Sequence, residues 1–323
     1  MPAYHLRTFY LARQQAWDNT SNLTFFRLEG VTDGSVTVNI NDYVVETIGT
    51  NVGNLVVQHY RDSEISMSLV ATYEQILYIL HGLFGAVTPT GSSAPYSFIY
   101  RAPINNSAIP QFYTVVYGIE NTVYQLSNCM ITELSVSGNI TTAQLELEVT
   151  FVSPNAPVPV TLPSSIINFQ NLTTIRVLDA EFYLSNITTL PSTTSPVEAT
   201  LISFELNVNP NRHIKRFIGN NDFYGDGRWQ IDGSLLLEFN TTSKSLIDTV
   251  LTNNVQRNVE LRFTQPSNRL MSLIVPFLVT DSVELFSDRD GNATVDVSFK
   301  AIHAQVINTS LQIEVYSDTN TLV

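Results

Sequence analysis

The chain has 323 residues, enough for two substantial cores, and its 44% hydrophobic content is that of a globular protein, not a disordered one. Charged residues make up only 14%, and the net charge of −13 is spread as −7 over residues 1–160 and −6 over the rest. A negative field over the whole body excludes the basic surface of a nucleic-acid-binding protein.

Asn, Thr and Ser fill the place of the missing charges, and only three lysines occur, Lys215, Lys244 and Lys300. Lysine is depleted where proteins touch, so this composition points to an assembly. A single cysteine, Cys129, excludes a disulfide framework; its place in an alternating run reads as a small core residue. The first residues, MPAYHLRTFYLARQQ, hold no apolar signal region, and no run reaches the length of a membrane helix. Cytoplasmic synthesis without a membrane anchor is expected.

In chain order, His5 to Leu11 reads as a first strand, followed by a polar stretch. Val36, Val38 and Ile40 alternate with polar residues as a half-buried strand. The pattern lapses from Asn41 to Gln58, which reads as a long loop. Ile65, Met67 and Leu69 alternate with serines and lead into LVATYEQILYILHGLFG, Leu69–Gly85, the best helix candidate of the chain. There Ile76, Ile79, Leu80, Leu83 and Phe84 form an apolar stripe at helical spacing. Thr72 and Gln75 have the form of a capping box, and Gly85 stands where a left-handed cap is expected. Strands are predicted around Tyr96–Tyr100, Phe112–Tyr117, Met130–Val136 and Leu145–Phe151, the last two joined by a turn at Gly138-Asn139. SPNAPVPVTLP, Ser153 to Pro163, holds four prolines and reads as a linker.

The order then restarts. Phe182-Tyr183-Leu184 echoes Phe9-Tyr10-Leu11, and Ile202, Phe204, Leu206 and Val208 match the strand at Val36–Ile40. A second long loop covers Asn209–Gly227, and Trp229 to Phe239 alternates as the strand before a second helix, Leu235–Leu251, with its stripe at Leu246, Ile247, Val250 and Leu251. Val149 and Phe151 find counterparts in Val297 and Phe299 on a last strand after a Gly-Asn turn. Two such coincident orders predict an internal duplication. The expected units are 1–155, a proline-rich linker 156–171, a second unit 172–305, and a C-terminal extension 306–323 with a further strand at Leu311, Ile313 and Val315. The fold class is mainly β (α+β), two tandem β-sandwich or partial-barrel domains, each with one flanking helix and a long loop.

Catalytic chemistry is nearly absent from the sequence. His5, His59, His81, His213 and His303 lack metal-ligand spacing, and no phosphate loop, nucleophile elbow or zinc motif occurs. Asp288, Asp290 and Asn292 alternate like calcium ligands, but Gly291 is misplaced and Phe299 stands where a bidentate Glu is needed; Asp-Gly between apolar strands is the mark of a hairpin turn. Glu146 and Glu148 share one strand face with no apolar cover, which with Glu133 reads as a solvated surface before a paired-carboxylate site. The basic cluster RHIKR, Arg212–Arg216, makes a weak phosphate site and fits contact with an acidic surface of a neighbouring subunit. No enzyme, cofactor or metal is expected.

The order β, long loop, β, one helix ending in Leu80-His81-Gly82-Leu83-Phe84-Gly85, then several strands resembles the tail tube proteins of long-tailed phages. The resemblance covers both repeats. It implies rings whose inner sheets close into a continuous barrel, with long loops that stack ring on ring. With two such domains per chain it implies three chains per ring, a homotrimer with pseudo-sixfold symmetry. Stacking would then involve Asp42, Glu46, Asn51 and Asn54 in the first loop, and Arg212, His213, Lys215, Arg216, Asp222 and Asp226 in the second. Ile76, Leu80, Leu83, Leu246 and Val250 would hold the flanking helices. The implied partners are the chain itself, the tape measure protein and tail tip or terminator proteins, with DNA passing an acidic wall unbound, in the virion tail. Two alternatives stand beside it: a distal-tail, baseplate-hub or terminator ring, and a carbohydrate-binding adhesin-type pair of β-sandwiches with exposed Trp17 or Trp229. A glycoside hydrolase using Glu146 or Glu148 ranks last.

Overall fold

A computed structural model describes the chain except residues 1–6, 46–54, 246–247, 249–255 and the short stretches 106–107, 120–121, 164, 170, 192–193, 198–200, 220, 267, 290–291, 320–321 and 323. The fold is mainly β. The strands of the first half are β1 (Arg7–Arg13), β2 (Phe25–Arg27), β3 (Val31–Val45), β4 (Leu55–Val70), β5 (Tyr96–Arg101), β6 (Tyr113–Ile119), β7 (Thr122–Asn139) and β8 (Leu145–Ser153). Short strands β9 (Val158–Val160) and β10 (Ile166–Ile167) follow. The second half holds β11 (Ala180–Asn186), β12 (Leu201–Asn209), β13 (His213–Phe217), β14 (Asn221–Gly225) and β15 (Gln230–Glu238). It ends with β16 (Arg257–Gln265), β17 (Arg269–Arg289), β18 (Asn292–Ala301) and β19 (Gln312–Ser317).

Two antiparallel ladders organise these strands. In the first half the pairing runs β1–β6–β7–β8–β4–β3. In the second it runs β11–β16–β17–β18–β15–β12. The ladders join through β12 and β7, from Ser203 opposite Asn139 to Val208 opposite Leu134. Eight strands therefore follow one another without a break: β3, β4, β8, β7, β12, β15, β18 and the later part of β17. The remaining strands of each ladder pack against this run through the core. Tyr113 on β6 meets Phe151 on β8 at 6.2 Å, and Phe204 on β12 meets Phe263 on β16 at 6.1 Å.

Alternation explains which residues fill that core. On β8, Leu145, Leu147, Val149 and Phe151 are buried while Glu146 and Glu148 are exposed. The period of two puts one set inward and the other outward. Gly138 shows how tightly the halves meet: a Cβ there would lie 2.5 Å from the Phe204 ring.

Helix α1 (Ile76–Phe84) is shorter than the Leu69–Gly85 stretch, because Leu69 and Val70 still belong to β4. All nine of its residues are buried, so it uses every face and not only the expected stripe. Half of the capping box forms: Thr72 Oγ1 accepts the Gln75 backbone N–H at 3.3 Å. The Gln75 amide turns elsewhere, accepting from Glu29 N (3.1 Å) and donating to Arg27 O (3.0 Å), which ties the helix entry to the end of β2 and the turn after it. Gly85 has φ +89° with an extended ψ of 167°, not the left-handed cap, and a Cβ there would come 2.5 Å from Ile109 O.

The second helix also starts late. Leu235–Glu238 stay in β15, and helix α2 begins at 241–245. Its cap is reciprocal: Asn240 Oδ1 accepts from the N–H groups of Thr242 and Ser243, while Ser243 Oγ accepts from Asn240 N. Leu246, Ile247, Val250 and Leu251 lie outside the described residues.

Both long loops are corrected to hairpins. β3 and β4 remain paired beyond Asn41, with Tyr43 opposite Val57 and Val45 opposite Leu55, so the first is a projecting arm. The second is the hairpin β13–β14, with His213 opposite Gly225 and Phe217 opposite Asn221. Polar and glycine-rich composition hid both, since strands outside a core need no apolar alternation. The proline-rich stretch is likewise anchored: β9 pairs with β7, and β10 pairs with β2 in parallel. The C-terminal strand β19 pairs with β17 on one side and β5 on the other, sewing the two halves together. Cys129 is fully buried, and burial pushes its thiol up to about 12, so it is a core residue.

His81 sits inside the first core, 4% exposed. Its Nε2 accepts the Val87 backbone N–H at 3.3 Å, which leaves the ring proton on Nδ1, facing Tyr100 Oη (2.6 Å) and Leu77 O (3.1 Å). Burial, assisted by the charge of Arg13, lowers its pKa to about 4. The unfolded chain takes up this proton below about pH 6.5 and the folded chain only below about 4. Stability is therefore lost as pH falls through that window, by up to about 3 kcal/mol. Urea titrations of wild type and His81→Gln should show a stability gap that narrows by about that amount from pH 7 to pH 4; a pH-independent gap contradicts the assignment.

Candidate functional site

The outward face of the eight-stranded run is polar. Register and alternation put on it Glu64 of β4, Glu146 and Glu148 of β8, Glu133 of β7 and Glu205 of β12. Asp232 and Glu238 of β15, Asp296 of β18 and Glu284 of β17 continue it. Those are nine carboxylates, and among side chains described on these strands Lys300 is the cation that joins them. The expected catalytic trio, Glu133, Glu146 and Glu148, is part of this row, each exposed, with Glu133 accepting from Asn209 Nδ2 at 2.8 Å. Asp296 has its pKa raised by partial burial and by the neighbouring Glu284. Among the described residues no group of His, Cys, Asp and Glu is arranged to hold a metal. Arg289 pairs with Asn292 across a two-residue turn, so the Asp288–Asn292 stretch closes a hairpin; Asp290 itself lies outside the described residues.

The same run has two open edges. Among the described residues β3 is paired to β4 alone, and β17 from Val279 onward is paired to β18 alone. Along β3 the exposed apolar side chains of Val38 and Ile40 stand at such an edge. Unpaired N–H and C=O groups in a row are a template for another strand.

The β13–β14 hairpin does not project freely. Arg212 at its base is buried, and its guanidinium donates to Gly82 O (3.1 Å) and Leu83 O (2.5 Å) in the last turn of α1, and to Ile131 O (3.1 Å) on β7. Asp226 completes the site with an ion pair at 3.0 Å. A cation on free helix carbonyls at the negative end of the helix is a favourable cap. Burial lowers the Arg212 pKa, and Asp226 opposes it. Further along, Arg216 lies over the Tyr60 ring at 4.0 Å and pairs with Asp222 (3.0 Å) and Asp62 (3.6 Å). Tyr224 packs on Phe112 at 5.1 Å, and Phe223 on Trp17 at 5.8 Å. The hairpin thus leaves the end of β12, crosses the ends of β7 and β8, and reaches β4.

Of the residues assigned to stacking, the structure therefore brings Arg212, Arg216, Asp222 and Asp226 together inside the chain. His213 and Lys215 are exposed on the same hairpin, and Asp42 is exposed at the base of the β3–β4 arm. Glu46, Asn51 and Asn54 lie outside the described residues. Ile76, Leu80 and Leu83 are buried in the core. Sequence reading missed Asp62 and Tyr60 as the seat of Arg216, and Gly82, Leu83 and Ile131 as that of Arg212. Backbone acceptors carry no side-chain signal, so only the pairing of strands reveals them.

A sequence-family model described as phage tail tube protein matches residues 7–301. The chain belongs to the phage tail tube family. No curated protein sequence matches it. As a tube protein it is a structural component of the virion tail that assembles with its own kind into a tube, and it is not an enzyme. For a structural tube protein, the exposed Glu133, Glu146 and Glu148 row is not a catalytic site.

The Arg212 site gives a direct test within one chain. Removing one member of a buried ion pair leaves the other uncompensated, at about 3–5 kcal/mol. Arg212→Ala should lose stability of that order in chemical denaturation, and Arg212→Lys should recover only a minor part, because a single ammonium cannot reach three carbonyls in a fork. A loss below about 1 kcal/mol for Arg212→Ala shows the cap to be dispensable.

Proposed function

We propose that three copies of this chain close a ring with pseudo-sixfold symmetry, and that such rings stack into the tail tube. The observation that carries the reading is the β12–β7 junction. Each half has the same ladder, with β1, β3, β4, β6, β7 and β8 corresponding to β11, β12, β15, β16, β17 and β18. Register shifts recur at matching places, between Val31 and Asp33 on β3 and between Leu201 and Ser203 on β12. One follows as well after Ile131 on β7 and after Val279 on β17. Both helices come directly after the matching strands β4 and β15. This recurrence supports an ancestral duplication with units 1–155 and 172–305, the proline-rich 156–171 between them and 306–323 as an added closing strand.

Within the chain, β12 uses its edge to pair with β7. Its counterpart β3 and the counterpart of β7, the later part of β17, are the two open edges. A second copy in the same relation closes them on each other, and three copies make a continuous barrel of twenty-four strands, the eight of each chain taken three times. Corresponding registers put Val38 opposite Val283 of the next copy, as Val208 stands opposite Leu134. Closure removes the exposed edges.

With the core side facing outward, the carboxylate face becomes the lumen. Few cations there are available to release the counterions of DNA, so the polymer passes without sticking. Ring-to-ring contact falls to residues 46–54, with Glu46, Asn51 and Asn54, and to the β13–β14 hairpin, with exposed His213 and Lys215 on β13 and Phe217 and Ile218 at its tip. The tape measure protein would occupy the lumen before ejection, and tip and terminator proteins would cap the ends.

An oxidised Val38→Cys/Val283→Cys double variant tests the junction, since the native Cys129 is buried. A covalent species that stops at three chains is the expected result. Monomers alone, or a ladder that continues past three, overturn the reading. The wall has its own test: tubes carrying Glu148→Lys and Glu205→Lys should retain double-stranded DNA at low salt and release it at high salt, whereas wild-type tubes should bind none. Rings that never stack at any concentration would make this a hub or terminator protein instead.

A further inference from the structure

A hairpin and a groove stand at opposite ends of β12. Past its last residue, Asn209, comes the β13–β14 hairpin, seated by Ile214 and Arg216 with His213, Lys215 and Phe217 on the exposed face. Phe223 lies opposite Lys215 on that face, and Ile218 at the tip is fully exposed. Phe217, Ile218 and Phe223 make one exposed apolar patch beside Lys215. At the other end, about 26 Å along the nine-residue strand, Leu201 and Phe204 line an open groove of about 390 Å³. Ile140, Val177 and Phe182 extend its apolar wall, and Glu181, exposed, is the one charged side chain among its described lining residues. We propose that this groove receives the hairpin tip of a chain in the adjacent ring, with Phe217 and Ile218 entering between β11 and β12 and Lys215 meeting Glu181. This rests on the stacking of rings proposed above, and it names the surface that the hairpin meets.

The two surfaces share a layer. The hairpin bridges the run, at Ile131, Tyr60 and Asp62, and the segments next to the outer strands, at Trp17 and Phe112. The groove likewise opens between the run, at Phe204, and the outer strand β11, at Phe182. Rings stacked head to tail present the hairpin end of each to the groove end of the next, so one hairpin meets one groove per chain. The signs agree as well: exposed Lys215 stands on the hairpin and exposed Glu181 at the groove. The corresponding hollow in the first half, beside Phe9 and Gly34, has Arg7 and Thr8 where the second half has Ala180 and Glu181. Arg7 there is paired with Asp33 at 3.5 Å, and no carboxylate is among that hollow's described lining residues. A cationic hairpin is therefore directed to the groove of the second half.

The test separates rings from tubes. Mass photometry reads the ring, and the lowest protein concentration that gives pelletable tubes reads stacking. Ile218→Asp on the tip and Ile140→Asp in the groove, both at exposed positions, should each raise that concentration roughly tenfold and leave the ring unchanged. Lys215→Glu and Glu181→Lys should each raise it about threefold, and their combination should return it to within about twofold of wild type. A tip variant that blocks tubes while neither groove variant does sends the hairpin elsewhere and overturns the groove contact. Charge reversals whose combination is no better than either alone overturn it too, as do tubes that form at the wild-type concentration in all four single variants. Wild-type rings of other than three chains overturn the three-chain reading alone: the groove contact stands if tip and groove variants still shift the tube concentration, and falls if they do not.

Discussion

A strand at the edge of a sheet leaves backbone donors and acceptors unpaired, and the rest of this fold is arranged around where those groups go. Inside the chain the demand is met by β12 and β7, which bring two ladders into one run of eight strands. At the outer edges, β3 and the later part of β17, no strand among the described residues meets it. Elsewhere the chain guards its edges: β9 is three residues long and carries Pro159, which donates no hydrogen bond, and β19 covers both β17 and β5. The two open edges of the eight-stranded run, on β3 and on the later part of β17, are therefore informative. They could serve the same kind of contact, and a head-to-tail contact closes into a ring when its rotation closes.

Beneath the sheet, one buried cation joins the halves in a second way. Arg212 comes from the second half and satisfies carbonyls at the end of a helix in the first, with Asp226 balancing its charge. The helix it caps is buried on every side, so water cannot reach those carbonyls in its place. Strand pairing and helix capping together make the two halves one mechanical unit. That suits a structural component of a tail tube.

Much of this was legible in the residues. Alternation gave the strands their inward faces, as at Leu145 to Phe151, and the echo of Phe9-Tyr10-Leu11 in Phe182-Tyr183-Leu184 falls on β1 and β11, matching members of the ladders. Other parts were hidden for identifiable reasons. The helix at Ile76–Phe84 looked one-faced because His81 and Gly82 interrupt its apolar stripe, yet His81 is buried through Tyr100 and Val87, and Gly82 by close approach to Ile131. Asn41–Gln58 and Asn209–Gly227 looked like loops because strands that leave the core lose the period-two pattern while keeping their backbone pairing. The RHIKR cluster pointed to an acidic neighbour, and acidic neighbours exist, but Asp62, Asp222 and Asp226 belong to the same chain. Charge alone does not say across which boundary a pair forms.

The central claim is that one junction within the chain is repeated between chains, three to a ring. End-on electron-microscopy averages of self-assembled tubes address it most directly. The account predicts threefold symmetry with six lobes of two alternating kinds, one kind bearing the β3–β4 arm and the other the β13–β14 hairpin. A ring of six complete chains, or any ring whose lobes do not alternate, would contradict it.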